Sequence, residues 1–147
     1  MELIDFSPKF LNDIIVIENQ SFPNPWKESM FLDSAANEHV EFKVAVENGK
    51  IAGYCLFWIL EAQAEILNIA VGLEFRRQSF AKQMLEYIIE RSKEENAECI
   101  FLDVRVNNSA AVRLYDSFGF EKANVRKKYY TGIAGGEDAL MLRKKLK

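Results

Sequence analysis

Histidine, cysteine and proline are all scarce in this chain. The only histidine is His39, and there are two cysteines and three prolines in 147 residues. Cys55 and Cys99 match no zinc-site spacing. Both fall in segments that read as strands. A lone pair of core thiols in a small chain suits a reduced, cytoplasmic setting rather than a disulfide framework. Positive charge is not in excess: the net charge is −3, with an isoelectric point near 5.3. General nucleic-acid binding needs a basic footprint, so none is expected. The short basic runs RKK (residues 126–128) and RKKLK (residues 143–147) read as solvated strand ends. Long apolar runs are missing too. The longest, IAGYCLFWIL at residues 51–60, is too short to span a bilayer, so no membrane partner is expected. The opening MELIDFSPKF is acidic and broken by Pro8, unlike a secretory signal. No repeat, low-complexity tract or Pro/Gly/Ser linker divides the chain, which predicts one domain over residues 1–147.

What the chain does have is a core. Hydrophobic residues make up 49% of it, enough to exclude disorder. Residues 12–22 carry Ile14, Ile15, Ile17 and Phe22 in a short helical pattern. FPNPW at residues 22–26 breaks it, because its two prolines cannot sit in a helix interior. Residues 26–36 predict a second short helix, and Trp26 and Phe22 are expected to pack the two helices together. Strands at residues 42–46 and 51–60 flank ENGK, where Asn48-Gly49 supplies the positive φ of a tight hairpin turn. Residues 64–71 predict a third strand.

Residues 80–95 form the clearest helix, with Ala81, Met84, Leu85, Ile88, Ile89 and Ser92 on one face. A strand follows at residues 98–106. There Leu102, Val104 and Val106 should point one way and Phe101, Asp103 and Arg105 the other. A helix at residues 107–118 has Asn107, Asn108 or Ser109 as cap candidates and Gly119 as its stop. Residues 120–130 and 138–143 close the chain as two strands around the glycine-rich loop TGIAGGE. The order ααβββαβαββ predicts an α/β fold with a mixed central sheet, an N-terminal helix pair and a hairpin.

The junction EFRRQSFAKQML, residues 74–85, follows the apolar strand ILNIAV and opens a helix. Amides at a helix N-terminus lack partners within the helix and carry partial positive charge, so an anion completes them. Ser79 stands where such loops favour glycine, and it can serve if its backbone is helical. Ala81 keeps the helix close to the strand, while Arg76 and Arg77 add charge. The competing reading is a surface turn with two solvated arginines.

Four stretches widen the view: FPNPWKESMF; ILNIAVGLEFRRQSFAKQMLEYII; FLDVRVNNSAAVRLYDSFGFEKANVRKKYY; and EDALMLRKKL. In order and interval they resemble the GNAT superfamily of N-acetyltransferases. More narrowly, they resemble the bacterial ribosomal-protein-alanine acetyltransferases. The resemblance covers nearly the whole chain. It implies acetyl-CoA as cofactor and a protein N-terminus, that of a ribosomal protein, as acceptor. The implied pyrophosphate loop is Arg76, Arg77, Gln78, Ser79, Phe80, Ala81 and Lys82, with Ser79 departing from the family's glycine. The implied pantetheine edge is Ile69, Ala70 and Val71, and Asn108 would hydrogen-bond the cofactor.

Acetyl transfer to an amine requires a neutral nucleophile, a donor for the oxyanion and a proton for the leaving sulfur. His39 lies in a predicted loop far from the cofactor strands, which leaves a carboxylate, a tyrosine or water as base. By resemblance the general base falls at Asp103, one methylene shorter than the family's glutamate, so a bridging water would restore reach. Asp103 has a structural alternative as partner of Arg105 or Arg113. By resemblance Tyr115 is the general acid; on its helix it reads equally as a core aromatic. A backbone amide in the Ile69, Ala70 and Val71 strand would serve the oxyanion, where a bulge splays the sheet.

Glu65 is a candidate amine ligand or an ordinary strand-end charge. Tyr129, Tyr130, Glu137 and Asp138 frame the glycine-rich loop as an acidic, aromatic rim for a basic substrate tail, or as a solvated loop. Two other functions remain open. One is acetylation of other N-termini, lysines or small amines; the other is an acyl-CoA-binding domain that has lost catalysis.

Overall fold

A computed structural model describes residues 1–133 and 135–147. Ala134, within the expected TGIAGGE loop, lies outside the described residues. The strands are β1 (Glu2–Asp5), β2 (Val40–Glu47), β3 (Lys50–Leu60), β4 (Gln63–Val71), β5 (Cys99–Arg105), β6 (Glu121–Tyr130) and β7 (Glu137–Lys145). The helices are α1 (Leu11–Ser21), α2 (Glu28–Ala35), α3 (Phe80–Glu94) and α4 (Ser109–Ser117). The expected elements are all present, with ends shifted by a few residues. β1 is an addition, because the four residues ELID are too short to display an alternation.

The seven strands form one mixed sheet in the order β1-β2-β3-β4-β5-β7-β6. Only β4 and β5 run parallel. One face carries α3 and α4 over Cys55, Phe57, Ile66, Leu102 and Val104. The other carries α1 and α2 over Phe42, Val44, Tyr54, Leu56 and Ala70. On α3 the expected stripe is buried, with Phe80 added at its start. Val106 departs from expectation: it lies past the end of β5 and is exposed. Both sheet edges are protected against stray pairing: β1 is only four residues long and β6 is strongly charged.

Two features of β4 shape everything downstream. Leu56 pairs with Asn68 and Phe57 with Ile66, which leaves Leu67 as an extra residue. A bulge of this kind shifts the alternation by one. Before it, Ala64 and Ile66 face α3; after it, Asn68 and Ala70 face α1. The bulge was expected within Ile69 to Val71, and instead precedes them. Second, the β4–β5 ladder contains only Gln63–Cys99, Ala64–Ile100 and Glu65–Phe101. Beyond Glu65 and Phe101 the two strands part.

β3 holds β4 very closely on its other side. A Cβ added at Gly53 would lie 2.5 Å from the Ala70 carbonyl oxygen, a backbone atom with nowhere to go. Gly53→Ala should therefore push β4 away and destabilise the fold by roughly 1–3 kcal/mol, the usual cost of overpacking. Urea unfolding checks this, and an unchanged midpoint would show that the strands are not in such close contact.

Candidate active site

The parting strands open a cleft of about 460 Å³. Its walls bring together nine of the expected site residues: Ile69, Ala70, Val71, Arg76, Ala81, Asp103, Asn108, Tyr115 and Tyr130. Along Ile66–Val71 the edge of β4 toward β5 has no ladder partner. That edge can pair with an extended amide-bearing chain, as any free strand edge can.

At one end of the cleft, β4 runs through a short turn into α3. Ser79 is the N-cap of α3, its side chain caps no amide, and its backbone is left-handed at φ 67°, ψ 16°. The helical backbone expected of Ser79 is thus not observed. Arg77 is left-handed as well, at φ 62°. Alternating left-handed and ordinary residues turn successive amides to one side, a geometry that favours anions. Arg77, Gln78, Ser79 and Lys82 are exposed around this turn, outside the cleft walls, whereas Phe80 is buried against Phe75 at a centroid distance of 5.9 Å. Arg76 does line the cleft. Its Nε donates to the Val71 carbonyl at 3.1 Å and its Nη2 to Ser21 Oγ at 3.1 Å. Asn108 is the N-cap of α4, accepting from the Ala111 amide at 3.3 Å.

Asp103 extends from β5 with its side chain 18% exposed. Arg126 Nε lies 3.2 Å from its Oδ1. That oxygen is buried and makes no aligned hydrogen bond among the described residues, so Arg126 supplies field rather than a bond. Burial raises the Asp103 pKa and Arg126 partly opposes the shift. Asp103 also lines a second cavity of about 430 Å³ on the α1 and α2 side of the sheet, together with Glu65, Trp58 and Arg126. Glu65 itself accepts from the Trp58 indole at 3.2 Å.

Tyr115 is buried at 5% exposure in the cleft wall, edge-on to Phe120 with centroids 5.5 Å apart. Burial pushes its phenol well above the ordinary tyrosine range, so the proton stays on. Tyr130 is pushed up to about 12, chiefly by burial. The Cys55 thiol is likewise held up to about 12 by burial, which leaves it inert as a nucleophile.

The remaining rim residues are engaged elsewhere. Glu137 pairs with Arg105 at 3.2 Å and accepts from the Asn107 amide at 3.1 Å. Asp138 accepts from the Lys128 amide at 2.8 Å, the main reason that its pKa is lowered. Tyr129 is 47% exposed beside Tyr130. His39 sits in an exposed turn outside both cavities.

The sequence reading missed one wall of the cleft: Glu18, Ser21, Phe22, Asn24, Trp26 and Asn68. Phe22 and Trp26 do more than pack helices, although Trp26 does lie against Phe31. Glu18 gave a signal. It follows Leu11 and Ile14 on the buried stripe of α1, where a carboxylate is out of place.

Ser79 offers a direct check on the loop. A left-handed residue with a Cβ costs roughly 1–2 kcal/mol. Ser79→Gly should remove that strain, offset in part by greater freedom of the unfolded chain, for a net gain of about 0.5–1 kcal/mol. Denaturant titration measures it, and a loss of stability would contradict the left-handed assignment.

Residues 11–120 match the family described as the acetyltransferase (GNAT) family. A Bacillus subtilis (strain 168) protein, provisionally named a ribosomal protein bS18-alanine N-acetyltransferase, is 38% identical over 90% of this chain and 87% of its own length. The Escherichia coli (strain K12) ribosomal protein bS18-alanine N-acetyltransferase is 32% identical over 86% of this chain and 84% of its own. The crystal structure of the Escherichia coli ribosomal-protein-S18-alanine N-acetyltransferase superposes with a TM-score of 0.88 at 28% identity, over 99% of this chain and 93% of that one. With its parted parallel strands and uncapped turn into α3, the chain belongs to the GNAT family of acetyltransferases.

Proposed function

We propose that this chain is an acetyl-CoA-dependent N-acetyltransferase whose acceptor is the N-terminal alanine of a ribosomal protein, acting as one domain over residues 1–147. The observation that carries the reading is the meeting of Asp103 and Tyr115 in one cleft with the open edge of β4. The names of the relatives at 38% and 32% identity support the choice of acceptor. Two free cysteines and a ribosomal acceptor suit the cytoplasm. No described helix is long and apolar enough to cross a membrane.

The residues present fit the cofactor. The uncapped first turn of α3, with Arg77 and Ser79 left-handed before it, offers amides to a pyrophosphate. Residues 76–82 form that cradle, Ile69, Ala70 and Val71 offer strand edge to the pantetheine amides, and Asn108 stands at the cleft wall opposite. Acetyl-CoA, when bound, supplies a thioester to the acceptor amine. Asp103 accepts the amine proton, through water because its side chain is short. Tyr115 keeps its proton and donates it to the departing sulfur. Glu65 and Tyr130 orient the amine from either side, with Tyr129, Glu137 and Asp138 at the outer rim.

The deciding assay is release of CoA thiol with acetyl-CoA and a basic peptide beginning with free alanine, beside the same peptide with its terminus blocked. Turnover with the free terminus alone is expected. Turnover with neither, despite binding of acetyl-CoA, would overturn the acceptor assignment and favour another amine or a binding-only domain.

Asp103→Asn should lower the rate by about 10²–10⁴-fold, the usual contribution of a general base, while acetyl-CoA binding persists. In the parent protein kcat/KM should fall as pH drops through the raised Asp103 pKa, and the variant should lose that limb. A rise toward pH of about 8 belongs to the acceptor amine and should remain. Stability moves the other way. A raised folded pKa means that the fold favours protonated Asp103, so its charge weakens the fold at neutral pH. The asparagine variant should be the more stable at pH 7, and the gap should close on acidification below the folded pKa. Equal activity of the variant and parent would remove Asp103 from the mechanism. Tyr115→Phe should likewise cut the rate and leave acetyl-CoA binding intact.

A further inference from the structure

Glu18 is the one charged side chain among the described residues that the fold buries, at 1% exposure. No cation pairs with it among the described residues. Three neutral donors surround it instead: Tyr54 Oη at 2.6 Å, Asn68 Nδ2 at 2.9 Å and the Trp26 amide at 2.9 Å. Burying a carboxylate without a cation is costly even when it is hydrogen-bonded, and well-packed apolar residues are often at least as stabilising in such places. The arrangement makes sense as a positioning device.

Its three donors come from β3, from β4 just past the bulge, and from the loop joining α1 to α2. That loop is poor in tethers of its own, because Pro23 and Pro25 have no amide to donate. Yet Phe22, Asn24 and Trp26 all line the cleft from it. The loop also comes near the one between β6 and β7: a Cβ added at Gly132 would lie 3.4 Å from Asn24 Cβ. This wall of the cleft thus presents two aromatic side chains, and one carboxylate ties it to β4.

We propose that Glu18 is a specificity-determining positioning residue: by holding the Trp26 amide and the Asn68 side chain on a single carboxylate, it sets the width of the acceptor end and admits only a small first side chain. This inference rests on the N-terminal acetyltransferase reading and adds to it the element that measures the terminal residue.

The test compares two basic peptides, one beginning with alanine and the other with leucine, in the parent protein, Glu18→Gln and Asn68→Ala. Glutamine keeps the shape but leaves one donor without an acceptor. Parent protein should favour alanine. In Glu18→Gln the alanine-to-leucine ratio of kcat/KM should fall roughly tenfold, mainly through a higher KM for the alanine peptide. The dissociation constant for acetyl-CoA should stay within about twofold, a split that a general loss of structure would not give. Asn68→Ala cuts only the link to β4, so it should move the ratio the same way by less, and it serves if Glu18→Gln does not fold. An unchanged ratio in the folded variants overturns the role of Glu18 while leaving the acetyltransferase reading intact. Failure of the parent protein to acetylate either peptide overturns both.

Discussion

The parting of β4 from β5 is the constraint on which the site depends. Backbone amides inside a sheet are normally paired, and leaving a row of them open is unfavourable unless a ligand or water completes them. Here three parallel pairs hold the strands together, and the bulge at Leu67 turns β4 as they separate. The open edge can remain because each strand is secured on its far side: β4 by eight registered pairs with β3 and β5 by seven with β7. The same divergence places Asp103 and Arg105 of β5 across a gap from Ile69, Ala70 and Val71. The candidate cofactor edge and the candidate base are therefore consequences of one local failure of pairing.

Electrostatics within the gap follow more from the burial of its titratable groups than from partner charges. Burial is the leading cause of the raised pKa at Asp103, Tyr115 and Tyr130 alike. Each therefore leans toward its protonated form, which is the useful direction for the roles proposed for Asp103 as base and Tyr115 as acid. Arg126 tempers this at Asp103, close enough to lower the pKa but not aligned to occupy the oxygen. Glu137 and Asp138 contrast with Asp103. Their carboxylates are committed to backbone amides and to neighbouring cations, which suits them to shaping the rim more than to exchanging protons.

The fold was legible where burial repeats at a fixed period. α3 shows a helical stripe, β5 shows an alternation, and Asn48-Gly49 marks its turn with positive φ at both residues. β1 was not legible because four residues carry too little pattern. The exact place of the bulge was not either. A bulge is visible only as a change in which partner a residue faces, and the partners of Leu67 and Asn68 lie on β3. The strand, turn and helix start proposed to hold the cofactor were legible as elements because they are local. The cleft wall built from Glu18, Asn68 and Trp26 was not, since these residues come together only through tertiary structure. Glu18 alone carried a local signal that went unread, a charge on an apolar stripe.

Arg76 joins the two halves. Its guanidinium holds the carbonyl of Val71, the last residue of β4, and the hydroxyl of Ser21, the last residue of α1. Ser21 in turn donates to Ile17 one helical turn back. An arginine left free at a loop tip would lose rotamer entropy when it met an anion. Here part of that ordering is complete before any ligand arrives, and the exposed charge stands at the cleft wall. The two anchor points are the ends of the elements that carry the open edge and Glu18. The Arg76 guanidinium and the Glu18 carboxylate thus each tie α1 to β4, at two places along the cleft wall.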